Sequence, residues 1–270
     1  MKRKSEFKRE AGDGFARVQP PSFEPGQKEF YADALRILNQ SGVRYVLTGA
    51  FALHHYTGLW RNTKDLDVFL RPRDVEQALA AFAKAGYETE IREPHWLSKA
   101  WSRPYFVDLI FGMANGNVRF DRSFVTAAEE IDVAGERAPL IRLEELIVSK
   151  VYIAVRDRFD GGDVAHLIRA SKGKIDWARV LKQLGDNRLV LLWQLVLFTF
   201  VYPGHTEFLP HRLMEELFEE MKQSWKSPRA ENSCFGMLLD AYSFAADIFD
   251  WGYRDPRDLR PYHQRKEDAA

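Results

Sequence analysis

Thr48-Gly49-Ala50-Phe51-Ala52-Leu53, followed by Arg61-Asn62-Thr63-Lys64-Asp65-Leu66-Asp67-Val68-Phe69-Leu70, is the stretch on which the reading of the fold turns. Val43 to Thr48 is short, β-branched and aromatic between turn residues, which predicts a strand, and Lys64 to Leu70 predicts another. Ala50 to Tyr56 predicts a short helix between them, with Gly49 at the passage from strand to helix. Alternate strand side chains share a face, so Asp65 and Asp67 point the same way while Leu66 and Val68 enter the core. Two neighbouring carboxylates repel. Beside apolar strand residues a divalent cation explains them best, and an all-oxygen site completed by water and substrate phosphates suits Mg²⁺. Asp-x-Asp alone remains weak, because exposed strand faces often carry acidic residues.

Asp108 strengthens the reading. It interrupts Tyr105-Phe106-Val107-Asp108-Leu109-Ile110-Phe111, where a lone carboxylate is costly to bury unless paired, hydrogen-bonded or metal-bound. Three carboxylates converge if this strand lies beside the Asp65/Asp67 strand. The alternative is a half-exposed Asp108 paired with an arginine such as Arg103. Gly49 allows a ligand to approach the backbone, and the first free N–H groups of the following helix attract phosphate; a tight turn that simply needs glycine is the plainer reading.

Outward from this stretch, Phe30, Ala34, Ile37 and Leu38 form a helical stripe ended by Ser41-Gly42. Pro72 to Ala85 predicts a helix with Val75, Ala78, Leu79 and Phe82 on one face. A strand around Tyr87 to Arg92, a short amphipathic piece around Trp96 to Trp101, and two short strands about Gly135 complete this half. From Arg142 onward strand signals give way to helical patterns at 143–156, 162–171, 177–184, 189–201, 211–225 and 236–251. That shift predicts a boundary near 140. The fold class is α/β (α+β) with a short mixed sheet, followed by an all-helical C-terminal domain at 141–270. Residues 1–24, rich in charge, Gly and Pro without periodicity, read as a mobile arm.

Composition narrows the function. Among 270 residues, 39 Lys+Arg balance 39 Asp+Glu, which excludes a generic polyanion binder and argues against an extensive nucleic-acid surface. A single cysteine, Cys234, allows no internal disulfide, so the cytoplasm is the default expectation. The basic start at Met1 lacks the apolar segment of a secretory signal. Leu189 to Tyr202, the longest apolar stretch, falls short of the ~20 residues of a membrane span and reads as a buried helix.

Gly-Ala-x-Ala-Leu after a strand, Arg-x-Thr-x-Asp-Leu-Asp-Val-Phe, and a third Asp on a later strand together resemble the nucleotidyltransferase superfamily with a DNA polymerase β-like fold. Minimal and AbiEii-like bacterial members are most similar. The likeness continues through Leu143 to Lys150 and Arg156 to Val164, covering about residues 43–170. Those proteins usually carry Gly-Gly or Gly-Ser where this chain has Gly49-Ala50.

The resemblance implies a catalytic domain at 25–140 that moves a nucleoside monophosphate from an NTP, ATP among the candidates, to an acceptor (small molecule, RNA or protein). Asp65, Asp67 and Asp108 are the implied catalytic and metal-binding residues, holding two Mg²⁺ ions, with Asp108 also taking the acceptor proton. Gly49, Ala50, Arg61, Thr63 and Lys150 are the implied nucleotide-binding residues. A role as the toxin of a toxin–antitoxin or phage-defence pair, with an antitoxin as partner, follows from the AbiEii likeness. The rival is a non-catalytic nucleotide-binding or interaction protein on the same fold. A Mg²⁺-dependent phosphohydrolase using the same carboxylates is a third reading.

Lys150 stands between Leu146-Ile147-Val148 and Val151-Tyr152-Ile153, so its ammonium must snorkel out or meet an anion. Pairing with Asp157 or Asp163 is the alternative to phosphate binding. Asp160 and Asp163 read as capping or salt-bridging residues. Adjacent His54 and His55 diverge on a helix and make no zinc pair, Trp177, Trp193, Trp225 and Trp251 read as core anchors, and Cys234 lacks the neighbours of a catalytic thiol.

Overall fold

The computed structural model describes residues 16–118, 120–227 and 232–261. In chain order, β1 (Arg17–Val18) precedes α1 (Gln27–Ser41), β2 (Tyr45–Leu47), α2 (Gly49–Thr57), β3 (Leu59–Trp60), β4 (Asp65–Leu70), α3 (Val75–Lys84), β5 (Glu88–Glu93), β6 (Leu97–Ser102) and β7 (Tyr105–Ile110). β2, β4, β7, β6 and β5 form one mixed sheet in that order, in which β4 and β7 run parallel and the other pairs antiparallel.

The alternation in β4 and β7 decides what the two sheet faces do. Leu66, Val68 and Leu70 share one face with Val107 and Leu109, all fully buried beneath Tyr31, Ala34, Leu35 and Leu38 of α1 and Ala78 and Phe82 of α3. Each such side chain contributes ~1.5–3 kcal/mol on burial. A one-residue slip would exchange this apolar set for the aspartates, so the register that builds the core also fixes the side on which Asp65, Asp67 and Asp108 emerge.

The second half comprises β8 (Glu130–Val133), β9 (Glu136–Pro139), α4 (Leu143–Val151), β10 (Ala154–Val155), β11 (Arg158–Phe159), α5 (Gly161–Ser171), α6 (Trp177–Leu184), α7 (Arg188–Val201), α8 (His211–Lys226) and α9 (Ala245–Phe249). Its apolar residues, among them Ile147, Val164, Leu191, Leu195 and Phe198, join Phe69 of β4 and Ala52 and Leu53 of α2 in one cluster that runs across residue 140. The helical half therefore packs against the aspartate-bearing face of the sheet and against the helix that follows Gly49. Among the described residues, no helix is long and apolar enough to cross a membrane.

Several local expectations are corrected. Residues 1–15 of the arm lie outside the described residues, but 16–24 are pinned: Arg17–Val18 pair with Leu59–Trp60, and Phe23 meets the rings of Tyr31, Phe51 and Trp60. The amphipathic piece at Trp96 to Trp101 is strand β6, held between β5 and β7. The helix expected over 143–156 stops at Val151, and the β10–β11 hairpin turns the chain back so that Asp160 reaches Lys150. The helix expected over 236–251 breaks into a 3-10 turn at Phe235–Leu238 and the short α9, because Asp240 binds the Tyr242 N–H and Ser243 hydroxyl locally while the Phe244 ring sits on Gly236.

The stretch 189–202 is buried on one side only. Leu191, Leu195 and Phe198 face the neighbouring helices, whereas Trp193, Val196 and Phe200 point outward. Trp177 is a core anchor, but Trp225 and Trp251 are exposed, and Trp193 is covered only in part, on the side where it meets the Phe159 ring.

Candidate active site

Asp67 and Asp108 are direct partners in the parallel β4–β7 register, and Asp65 stands one alternation back opposite Phe106. One oxygen from each of the three carboxylates lies within 4.8 Å of the others. The sequence-derived trio is therefore brought together. Burial, with the charges of Asp65 and Asp108 adding to it, pushes the Asp67 carboxyl up to about 7 against the pull of Arg158 and Lys150. Burial also raises Asp108, opposed by Lys99. An oxygen-only cluster whose members resist shared ionisation fits a hard divalent cation, which would offset that repulsion.

Gly49 has a structural reason to be glycine. Its φ is +61°, and a Cβ there would overlap the Asp67 carboxylate, 2.8 Å from that residue's own Cβ. The Thr48 N–H donates to the Asp67 carbonyl at 3.0 Å, which ties the turn to the strand carrying the acid. Within α2 the Ala52 N–H donates to the Thr48 carbonyl at 3.4 Å. The N–H groups of Gly49, Ala50 and Phe51 thus precede the first turn's bonding and form the anion-attracting end of the helix. Ala50 packs its methyl against the core beneath the sheet. A methyl in place of the usual Gly or Ser leaves those N–H groups where they are.

The remaining predicted residues divide. Thr63 does not line the cavity; its hydroxyl donates to Asp65, and its carbonyl accepts from Gln27 and from the Tyr31 hydroxyl, so it orients the acid. Lys150 is buried at the cavity wall, its Nζ donating to Asp160 and Asp163 at 2.8 Å each. Arg61 lies outside the cavity lining and donates to Asp163 at 3.0 Å. Asp160 and Asp163 are thus salt-bridging residues, and the Asp160 side chain caps nothing at the start of α5. Asp108 pairs with Lys99 rather than with Arg103, which reaches Glu88 instead.

Three elements escaped the sequence reading. Arg158 on β11 grips Asp160 with Nε and Nη2 at 2.8 Å each and lines the same cavity as Asp67. Although burial opposes it, the Arg158 hydrogen bonds and the Lys150 charge hold the Asp160 carboxyl down at about 2. Its signal was available in Arg158-x-Asp160-x-x-Asp163 after the buried lysine, a spacing that invites pairing. Lys99 on β6 lies beside Asp108. The third element is the segment Met237 to Tyr242 with Arg257, which closes the far wall; Asn115 donates to the Leu238 carbonyl at 3.0 Å beneath it. No local pattern marks that wall, since it exists only once the C-terminal segment has folded over the sheet. The resulting cavity of about 490 Å³ runs from Gly49 and the three aspartates to Tyr242.

A mixed sheet carrying three clustered carboxylates, a glycine turn into a helix N-terminus and a helical second half defines the nucleotidyltransferase-like class of α/β proteins. Residues 31–200 match the family of uncharacterised nucleotidyltransferases, and the chain belongs to that family. No curated protein matches it. Among solved structures, an antigenic nucleotidyltransferase-like protein from Paracoccidioides brasiliensis is similar at 15% identity over 68% of this chain and 91% of the other, with a TM-score of 0.46. ANT(2'')-Ia in complex with adenylyl-2''-tobramycin is similar at 14% identity over 65% and 98%, TM-score 0.40. The lincosamide antibiotic adenylyltransferase LnuA is similar at 14% identity over 54% and 98%, TM-score 0.36.

Proposed function

We propose that the chain transfers a nucleoside monophosphate from an NTP to an acceptor nucleophile with Mg²⁺, using Asp65, Asp67 and Asp108. The observation that carries this reading is the convergence of those three carboxylates beside Gly49, whose bare Cα leaves room for Asp67. Asp65 and Asp67 would hold the metal, and Asp108 faces the same space. The bound cation supplies Lewis-acid stabilisation of the charge that develops on the phosphate oxygens.

The N–H groups of Gly49 and Ala50 cradle the distal phosphates, and Lys150 and Arg158 set a positive wall opposite them. Arg61 acts on that wall through Asp163, and Thr63 acts through Asp65. Asp108 accepts the proton of the acceptor hydroxyl or amine as its lone pair bonds the α-phosphorus; the α–β bridging bond breaks and pyrophosphate leaves. In this reading residues 25–140 carry the three aspartates and the phosphate cradle, and the helical part at 141–270 supplies Lys150, Arg158 and the wall that selects the acceptor. An AbiEii-like toxin role, paired with an antitoxin and acting on RNA or protein in the cytoplasm, is the finer form of the proposal.

The decisive experiment incubates the protein with Mg²⁺, cell extract and each NTP labelled at the α or the γ phosphate. Label passing to a product from the α position alone supports nucleotidyl transfer. A γ-labelled product, or no transfer together with Mg²⁺-NTP affinity that Asp65→Ala and Asp67→Ala leave untouched, overturns it. Toxicity on expression that vanishes with Asp65→Ala would support the toxin role.

A further inference from the structure

Lys99 has no task in the chemistry proposed above, yet it is held firmly in the site. It is the direct antiparallel partner of Asp108, and its Nζ lies 2.6 Å from Asp108 Oδ1, with both side chains only 15% exposed. The ammonium sits 4.0 Å from the centroid of the Phe106 ring and 5.4 Å from that of Trp101, so aromatic faces hold it as well. One of the three clustered carboxylates thus already has a cation of its own, while among the described residues no cation touches Asp65 or Asp67, and Asp65 accepts from the hydroxyl of Thr63. Among the described residues, a divalent ion between Asp65 and Asp67 would meet no positive charge in contact with them. One at Asp108 would meet the ammonium and must displace it, because like charges in a recessed site are poorly screened.

We propose that Lys99 serves as a built-in monovalent cation on the Asp108 side. The nucleotide-free chain then takes one divalent ion, at Asp65 and Asp67, and a second only when Lys99 leaves Asp108. This rests on the Mg²⁺-dependent reading above and adds an order of loading to it. Lys99 is a positioning residue in this scheme.

The test is a Mn²⁺ titration of the full chain without nucleotide, following free Mn²⁺ by its paramagnetic resonance signal. Wild type and Lys99→Arg should bind one ion per chain, and Lys99→Met two, since the methionine stem keeps the aromatic contact without the charge. Asp108→Asn should still bind one ion with affinity within about threefold of wild type, whereas Asp67→Asn should lose it. Two ions in wild type, one ion in a folded Lys99→Met, or loss of the ion in Asp108→Asn overturns the role of Lys99. Should Lys99→Met not fold, the wild-type and Asp108→Asn stoichiometries decide alone. Binding that Asp67→Asn abolishes leaves the metal-dependent reading standing whatever Lys99 does; no Mn²⁺ bound by any variant removes both.

Discussion

Two charged regions meet in the cavity, and they are built in opposite ways. Around Asp67 three carboxylates cluster and, among the described residues, one ammonium, that of Lys99, contacts them. Around Lys150 three cations, Arg61, Lys150 and Arg158, face two carboxylates, Asp160 and Asp163. The first region lacks positive charge and the second has it to spare. A metal-bound polyphosphate would supply what each lacks, which is why the pair is proposed as a substrate site rather than as two salt-bridge clusters that happen to adjoin.

The comparison breaks most sharply at Asp67. Asp67→Asn is expected to lower α-label transfer by at least about 10³-fold while raising the metal-free melting temperature at pH 8, because it removes a buried charge beside two like charges. Lower activity together with lower stability would make Asp67 structural. On the opposite side, Lys150→Met leaves Asp160 and Asp163 with Arg158 and Arg61 alone, and should cost about 3–5 kcal/mol in denaturant unfolding. Gly49→Ala forces a methyl toward the Asp67 carboxylate at a positive φ; a loss of about 10²-fold in transfer with about 1–3 kcal/mol of destabilisation is expected, read by kinetics and melting together. Arg158→Gln should weaken NTP binding about tenfold, seen in KM more than in kcat.

The smallest effect is one of pH. Asp67 titrates higher in the folded chain than in the unfolded one, so the folded state binds more protons between about 4 and 7. Its contribution to stability is present below the unfolded carboxylate range and is lost as pH rises through 7. The metal-free protein should therefore melt at progressively lower temperature across that window relative to Asp67→Asn, and saturating Mg²⁺ should flatten the difference. A metal-independent slope would argue against a cation at Asp67.

Much of the acidic region was legible in the chain. Period-two alternation places Asp65 and Asp67 on one face from spacing alone, and an apolar strand around Asp108 marks that residue as costly. The basic region was less so. Lys150 announces itself by interrupting an apolar run, and of its two alternative partners Asp163 is met; the structure puts Asp160 in place of Asp157 and adds Arg158 through a hairpin of two-residue strands too short to carry a pattern. Lys99 was hidden because Leu97 to Ser102 reads as amphipathic in any conformation, and only its place between β5 and β7 puts the ammonium on Asp108. The long helices past 188 were legible as helices, but which faces they bury was not, since Trp193 and Phe200 are as apolar as the residues that pack.

The sequence by itself determined the strand–glycine–helix turn, the shared face of the two β4 aspartates and the passage from mixed to helical structure, because each follows from local periodicity and backbone preference. Tertiary structure alone decided that β4 and β7 lie parallel with Asp67 opposite Asp108, that Lys99 neutralises one member of the trio, and that Met237 to Tyr242 closes the cavity. Those are contacts between residues far apart in the chain. Their energy comes from burying two separate apolar faces on one sheet, which no window of neighbouring residues contains.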